Sequence, residues 1–419
     1  MSEPPAIERE IRPRAVRPSP SPLGPPERIP EVDVVRGFAL FGVLLVNLYS
    51  FGADSVAWNT PLDRLAFGIK HVFFDSKSWS LFSLLFGFGL TTQLGTGGRQ
   101  KGFGFLVRRM GFLFVLGMAH ALLYEGDVLM LYAQWGCVLW IAVRWRMRTR
   151  FVLALCLLAI FPVAHLAGVG RFEEDGGTSV AAEDARNDLL EDRAEHVYAI
   201  GTLRDVLAYN AEGIPENPFE EYAWPDSGFA IFALFLLGSV VATSGVLRDI
   251  EGHRRLFRRV RQMGWLVGLA AMTLERTAHA VAGYDPYRPQ EAGPATLFAG
   301  DLLFVVGTVA LAVAYAATLV LATRTPTGRR LLAPLAPVGR LALTGYLVQT
   351  LLFTFFFHGY GLGWAYRVGP FAVTLLAVAI FSAQVVICNL WVRAFRFGPA
   401  EWLWRSFTYL GRQPMRRSD

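Results

Sequence analysis

The chain has 419 residues, of which 53% are hydrophobic and 18% charged, with a mean hydropathy of +0.37. A soluble protein carries about a quarter of its residues as charges, so this composition excludes a soluble enzyme of several domains. The net charge of +6 says little about partners, but the 40 basic residues, only three of them lysine (Lys70, Lys77, Lys101), are informative by position.

Residues 1–30 hold nine prolines and read as a disordered cytoplasmic tail, not a signal peptide. A membrane span needs about twenty mostly apolar residues. Ten runs satisfy this: 34–53, 79–95, 105–124, 128–143, 151–170, 227–246, 262–282, 301–322, 341–357 and 370–392. The predicted fold is therefore all-α, a polytopic membrane helical bundle of about ten transmembrane helices. Its parts are the tail 1–30, a five-helix half 31–170, an acidic outer loop 171–226, a second half 227–395 and a basic tail 396–419. Residues 61–74 carry a helical stripe of Leu62, Leu65, Ile69, Val72 and Phe73, as an interfacial helix would. The loop 171–226 holds fifteen acidic residues against four arginines, with short amphipathic helices expected inside it.

Alternate connecting segments hold 30 and 9 of the basic residues, with Arg276 inside a span. Cytoplasmic segments retain Lys and Arg, so the count puts both termini inside a cell inner membrane. Anionic lipids are natural partners for the inner face. Nothing suggests nucleic acid, and oligomerisation is left open. Cys137, Cys156 and Cys388 lie in apolar runs and read as small buried hydrophobes, so no metal site is expected.

Ionisable residues inside spans are costly and invite functional readings. Asp33 and Arg36 open the first span, as cap and interfacial Arg or as a hold on an anion. Asn47 lies three turns deeper. His120, Glu125 and Asp127 gather a histidine and two carboxylates at one membrane face, where the imidazole is suited to act as a base. Glu275 and His279 share a helical face beside Arg276. On the inner side, arginines including Arg108, Arg109 and Arg340 could meet phosphates, although orientation alone explains most of them.

The stretches 33–42, 81–89, 117–120 with 126–129, 339–349 and 397–405 resemble, in order, the YeiB family of bacterial inner-membrane proteins, whose C-terminal half is a domain of unknown function. The last two stretches contribute Arg340, Tyr346, Gln349, Glu401 and Arg405 as further polar candidates. The opening pattern Asp33-x-x-Arg36-Gly37 with Asn47 is also similar to transmembrane acyltransferases such as heparan-α-glucosaminide N-acetyltransferase. That resemblance implies acyl transfer from coenzyme A on the cytoplasmic side to a glycan or lipid acceptor outside, with no permanently bound cofactor. Arg36, Arg340 and Asn47 would hold the donor. The stretch 54–59 lacks the histidine of that group, which leaves His120, with Asp127 or Glu125, to serve as base. Two other readings stay open: a secondary transporter with a site between the halves near Glu275 or Asn47, and a lipid-handling scaffold without turnover.

Overall fold

The computed structural model describes residues 28–51, 53, 60–95, 102–166, 189, 192–213, 228–282 and 293–417. Each of the ten apolar runs coincides with a helix: α1 (Pro30–Tyr49), α3 (Lys77–Leu94), α4 (Phe103–Ala121), α5 (Leu129–Ala142), α6 (Met147–Leu166), α8 (Gly228–Ser244), α9 (Arg254–Ala282), α10 (Pro294–Ala322), α13 (Ala342–Phe357) and α14 (Pro370–Ala394). Shorter helices among the described residues include α2 (Pro61–Phe73), α7 (Leu203–Gly213), α11 (Pro326–Leu332), α12 (Leu335–Arg340) and α15 (Pro399–Tyr409). Among the described residues no strand forms beyond one isolated bridge between Phe395 and Arg416.

Local chemistry sets several starts. Proline opens α1, α2, α10, α14 and α15, where its missing N–H costs nothing. Thr60 caps α2 by accepting from the Asp63 amide, and Asp127 accepts from the Met130 amide at the start of α5.

Four helices (α1, α4, α10, α14) are long and apolar enough to cross a membrane by length and composition, and α5, α8 and α13 are shorter apolar helices. Their outer faces are apolar: Val115 and Met118 on α4, Leu155 and Val163 on α6, Leu351 and Phe355 on α13, Leu375 and Ile387 on α14. Exposed apolar belts of this extent on helices suit lipid, and the fold is a helical membrane bundle. The same exposure corrects the reading of two cysteines. Cys388 is buried, but Cys137 and Cys156 face outward, because in lipid an apolar residue gains nothing by turning inward.

Helix α1 stands in the middle, packed against α3, α10, α12, α13 and α14. Its crossing with α12 is close enough that a Cβ on Gly37 would run into the Leu335 carbonyl, and one on Gly339 into the Asp33 carbonyl. Helix α2 shows the amphipathicity expected of it, with its polar side inward. Leu62, Leu65 and Ile69 are exposed while Asp63 and Lys70 are buried. Asp63 accepts from the Phe371 amide at 3.0 Å, and the Lys70 ammonium lies 4.8 Å from the Tyr49 ring centre. Of the acidic stretch, residues 192–200 are helical and α7 follows, as expected. Tyr198 donates to Asn210 (2.8 Å), and Asn210 donates to the Leu122 carbonyl (3.0 Å), which ties this stretch to the α4–α5 turn.

Candidate functional site: a cavity between an arginine cluster and an aspartate

A central cavity of about 640 Å³ lies among α1, α3, α4, α5, α6, α8, α10, α12, α13 and α15. Its walls are mostly apolar and aromatic: Leu40, Trp79, Phe82, Phe86, Leu90, Leu113, Tyr132 and Phe304. Arg36, Arg109, Arg340 and Arg405 line it, and so do Asn47, Asp127 and Tyr346. Arg36 and Asn47 are eleven residues apart on α1, and Arg109 and His120 are eleven apart on α4. At 1.5 Å per residue each pair is separated by about 16 Å along its helix. The arginines therefore mark one end of the cavity and Asp127 with Asn47 the other.

At the Asp127 end, sequence spacing foresaw the meeting of His120 and Asp127. Nδ1 of His120 lies 2.7 Å from Asp127 Oδ1, and Nε2 lies 2.7 Å from the hydroxyl of Thr350. The second carboxylate oxygen of Asp127 accepts from the Met130 amide at 3.0 Å. Thr350 is fully buried and also donates to the Tyr346 carbonyl at 3.3 Å. The Tyr346 ring lies 4.9 Å from the imidazole, centre to centre. Asp127, not His120, is the member of the pair that stands on the cavity wall. Glu125 is exposed and accepts from the Tyr198 hydroxyl at 3.1 Å, so it is directed at the acidic stretch.

At the other end, Arg36 pairs with Asp33 at 3.1 Å and reaches towards the Gly339 carbonyl. It faces the cavity instead of snorkelling to an interface. Arg340 donates to the Arg396 carbonyl at 3.4 Å. Arg109 is 7% exposed, and its guanidinium lies 3.7 Å from the Trp404 ring centre. Arg405 rests 4.8 Å from the Phe397 ring centre. Burial lowers the proton affinity of Arg340 and Arg405 below the ordinary guanidinium value, and neighbouring Arg28 adds to it. Glu401 lies on the wall beside them, but its carboxylate is spent on the start of α13. It accepts from the Leu343 amide (2.8 Å), the Thr344 amide (3.1 Å) and the Thr344 hydroxyl (2.5 Å). Its pKa is raised, chiefly by burial.

The other polar candidates lie elsewhere. Gln349 is buried and donates to Gln384 at 2.7 Å. Glu275 is buried and 3.5 Å from Arg276, and neither stands on the cavity wall. The side chain of His279 lies outside the described residues. Sequence reasoning passed over Thr350 and Trp404 and treated Arg109 as one of many inner arginines. For Arg109 a signal existed: it sits three residues after Leu106 and four before Leu113, on the buried stripe of α4. Thr350 carried none.

Among the described residues no group of three or more His, Cys, Asp or Glu could hold a metal ion. Residues 241–411 match a family model described as a protein of unknown function (DUF418). The chain is 30% identical to the uncharacterized protein YxaH of Bacillus subtilis, over 93% of this chain and 96% of that one. It is 26% identical to the uncharacterized protein YeiB of Escherichia coli, over 91% and 96% respectively. A protein encoded in the 3′ region of an amylase gene of Bacillus acidopullulyticus is 24% identical over 94% of this chain and 97% of its own length. With relatives aligned over nearly their whole length, the chain belongs to the YeiB-like family of proteins that carry a DUF418 domain.

Proposed function

We propose that the protein transfers an acyl group from a cytoplasmic thioester donor, such as an acyl-coenzyme A, to an acceptor at the outer face of a bacterial inner membrane, with both termini inside. The observation that carries this reading is that one cavity joins Arg36 and Arg340 to Asp127. The 30-to-9 division of basic residues puts the arginine end inside, since those segments are the basic ones. The apolar walls between the two ends suit a slender acyl-bearing arm shielded from water. Helices from both sides of the acidic stretch 171–226 build these walls.

In this reading Arg36 and Arg340 hold the donor's phosphates, and Asn47 lines the path. An acceptor hydroxyl or amine at the other end attacks the thioester carbonyl. Its proton goes to Asp127, the acyl group forms a new ester or amide bond, and the thiolate leaves and takes up a proton. Asp127 is the carboxylate that stands on the cavity wall at this end. The role of base thus moves from His120 to Asp127. His120 becomes a positioning residue, holding one carboxylate oxygen while the Met130 amide holds the other. Glu125 has no part in the step. Of the two residues named for the transporter reading, Asn47 lines the cavity and Glu275 does not.

The test uses inside-out membrane vesicles given radiolabelled acetyl-coenzyme A. Label should enter a lipid or glycan fraction only when the protein is present, and Asp127→Asn should lower the rate at least a hundredfold. Label uptake that does not depend on the protein would sink the proposal, and an unchanged rate in Asp127→Asn would remove Asp127 as base.

A further inference from the structure

Among the described residues two arginines are almost completely buried, and they are treated differently. Arg150 is held as a structural cation: it donates to the Ser239 carbonyl at 3.3 Å, to the Ser239 hydroxyl, and to the Thr243 hydroxyl at 3.1 Å. Arg109 has no such acceptor among the described residues. Its guanidinium touches the Trp404 ring. Nε is unpartnered in both arginines, so the difference lies in the terminal nitrogens, which find acceptors in Arg150 and none in Arg109 among the described residues. Arg405, also on the cavity wall, likewise donates no hydrogen bond to a described residue and rests against Phe397. Stacking on an aromatic ring holds a guanidinium flat but leaves its N–H donors unused.

A buried charge is costly unless paired and hydrogen-bonded. Here four guanidiniums share one end of the cavity with two carboxylates close by, and both carboxylates are taken, Asp33 by Arg36 and Glu401 by the start of α13. Of the other three, Arg340 has the Arg396 carbonyl as acceptor, and Arg109 and Arg405 have no acceptor among the described residues. We infer that Arg109 and Arg405 bind the phosphate oxygens of a ligand with a diphosphate head, whose apolar arm enters the cavity. Planar guanidiniums match phosphate oxygens two at a time, and a singly charged anion would neutralise only one of these two. Trp404 is the positioning residue. Its ring lies against the Arg109 guanidinium, and its indole N–H donates to the Arg109 carbonyl at 2.7 Å, fixing α15 to α4. This deepens the acyl-transfer reading by naming the head group of the donor, and it rests on that reading only for the direction of the arm.

Such a head has two sources, a nucleotide-linked thioester from the cytoplasm or an isoprenoid diphosphate from the membrane. The test is calorimetry on the purified full chain in nanodiscs, with inorganic diphosphate, acetyl-coenzyme A and farnesyl diphosphate as probes. Inorganic diphosphate should bind, and Arg109→Met and Arg405→Met should each weaken it tenfold or more. Arg144→Met, which removes an exposed arginine stacked on Trp140, should change nothing. Whichever organic probe binds more tightly names the source. Failure of all three probes to bind, or unchanged affinity in Arg109→Met with native melting behaviour, would overturn the inference. Binding of diphosphate without any acyl transfer would overturn only the acyl-transfer reading. Acyl transfer with an unchanged KM in Arg109→Met would overturn only this one.

Discussion

At the Asp127 end of the cavity the His120–Asp127 couple finds its partners within the protein. Both ring nitrogens of His120 and both carboxylate oxygens of Asp127 are matched by groups on α4, α5 and α13. At the arginine end the protein brings cations together and leaves two of them without an acceptor among the described residues. The first arrangement is a closed network, whose members support one another and resist change. The second is open and is completed only by something that is not protein. A site built for turnover needs both kinds of end: one that holds a reactive carboxylate in place, and one that keeps its charge available to a ligand that comes and goes.

The difference predicts opposite consequences of mutation. The largest loss should come from Asp127→Ala, which strips His120 of its carboxylate and the start of α5 of an acceptor. Each buried polar group left without its hydrogen-bond partner costs about 1–3 kcal/mol, and here the His120 ring and the Met130 amide both lose theirs. Thermal melting in nanodiscs should show a large drop, and a melt close to the native one would mean that the network is not closed as described. Next comes His358, just past the end of α13, 1% exposed among Phe51, Tyr198 and Tyr360, with neither ring nitrogen hydrogen-bonded. Burial pulls its pKa down from 6.5 to about 4. Because the folded pKa is depressed, the folded state favours the neutral ring. Stability is complete above pH 6.5 and is lost as the pH falls towards 4, by about 3 kcal/mol in total. His358→Phe should flatten that acid limb of the melting profile, and an unchanged limb would assign the acid sensitivity to other groups.

How much of this was open to sequence reading follows from the solvent. Helix positions were legible because a bilayer demands length and apolarity in one run. The pairing of His120 with Asp127 was legible because a connection of only seven residues between α4 and α5 leaves two helix ends little freedom. Helix α2 was legible because its polar residues, Asp63 and Lys70, stand apart from the Leu62–Leu65–Ile69 stripe. What could not be read is which face of an apolar helix points inward. Lipid and protein interior are equally apolar, so hydrophobicity does not sort Cys137 and Cys156 from Cys388. The same blindness hid Thr350, and it left Arg109 among arginines that positive-inside sorting explains. Its spacing from Leu106 and Leu113 sets Arg109 apart from Arg108, whose Nε donates to the Thr408 carbonyl at 2.9 Å, and the packing of α15 across α4 shows why that face matters.

The smaller effects belong to the arginine end. Gly339→Ala should cost about 1–3 kcal/mol, because the added methyl cannot pass the Asp33 carbonyl and must push α12 from α1. It should also weaken diphosphate binding, since Arg36 and Arg340 sit on the two helices being parted. A melt and an affinity that both stay native would show that the crossing is looser than the contact implies.

The smallest effect is a gain in stability. Arg109→Met keeps the backbone carbonyl that receives the Trp404 N–H and lays a flexible apolar chain against the indole ring. It also removes a cation that α4 buries without an acceptor. Replacing buried charge by apolar groups of similar volume is often neutral or stabilising, here by about 1 kcal/mol in the ligand-free protein. Saturating diphosphate should reverse the order of the two melting temperatures, because only the native protein is then stabilised by binding. A loss of stability in Arg109→Met without ligand would mean that the guanidinium is already matched, and the contrast between the two ends of the cavity would disappear.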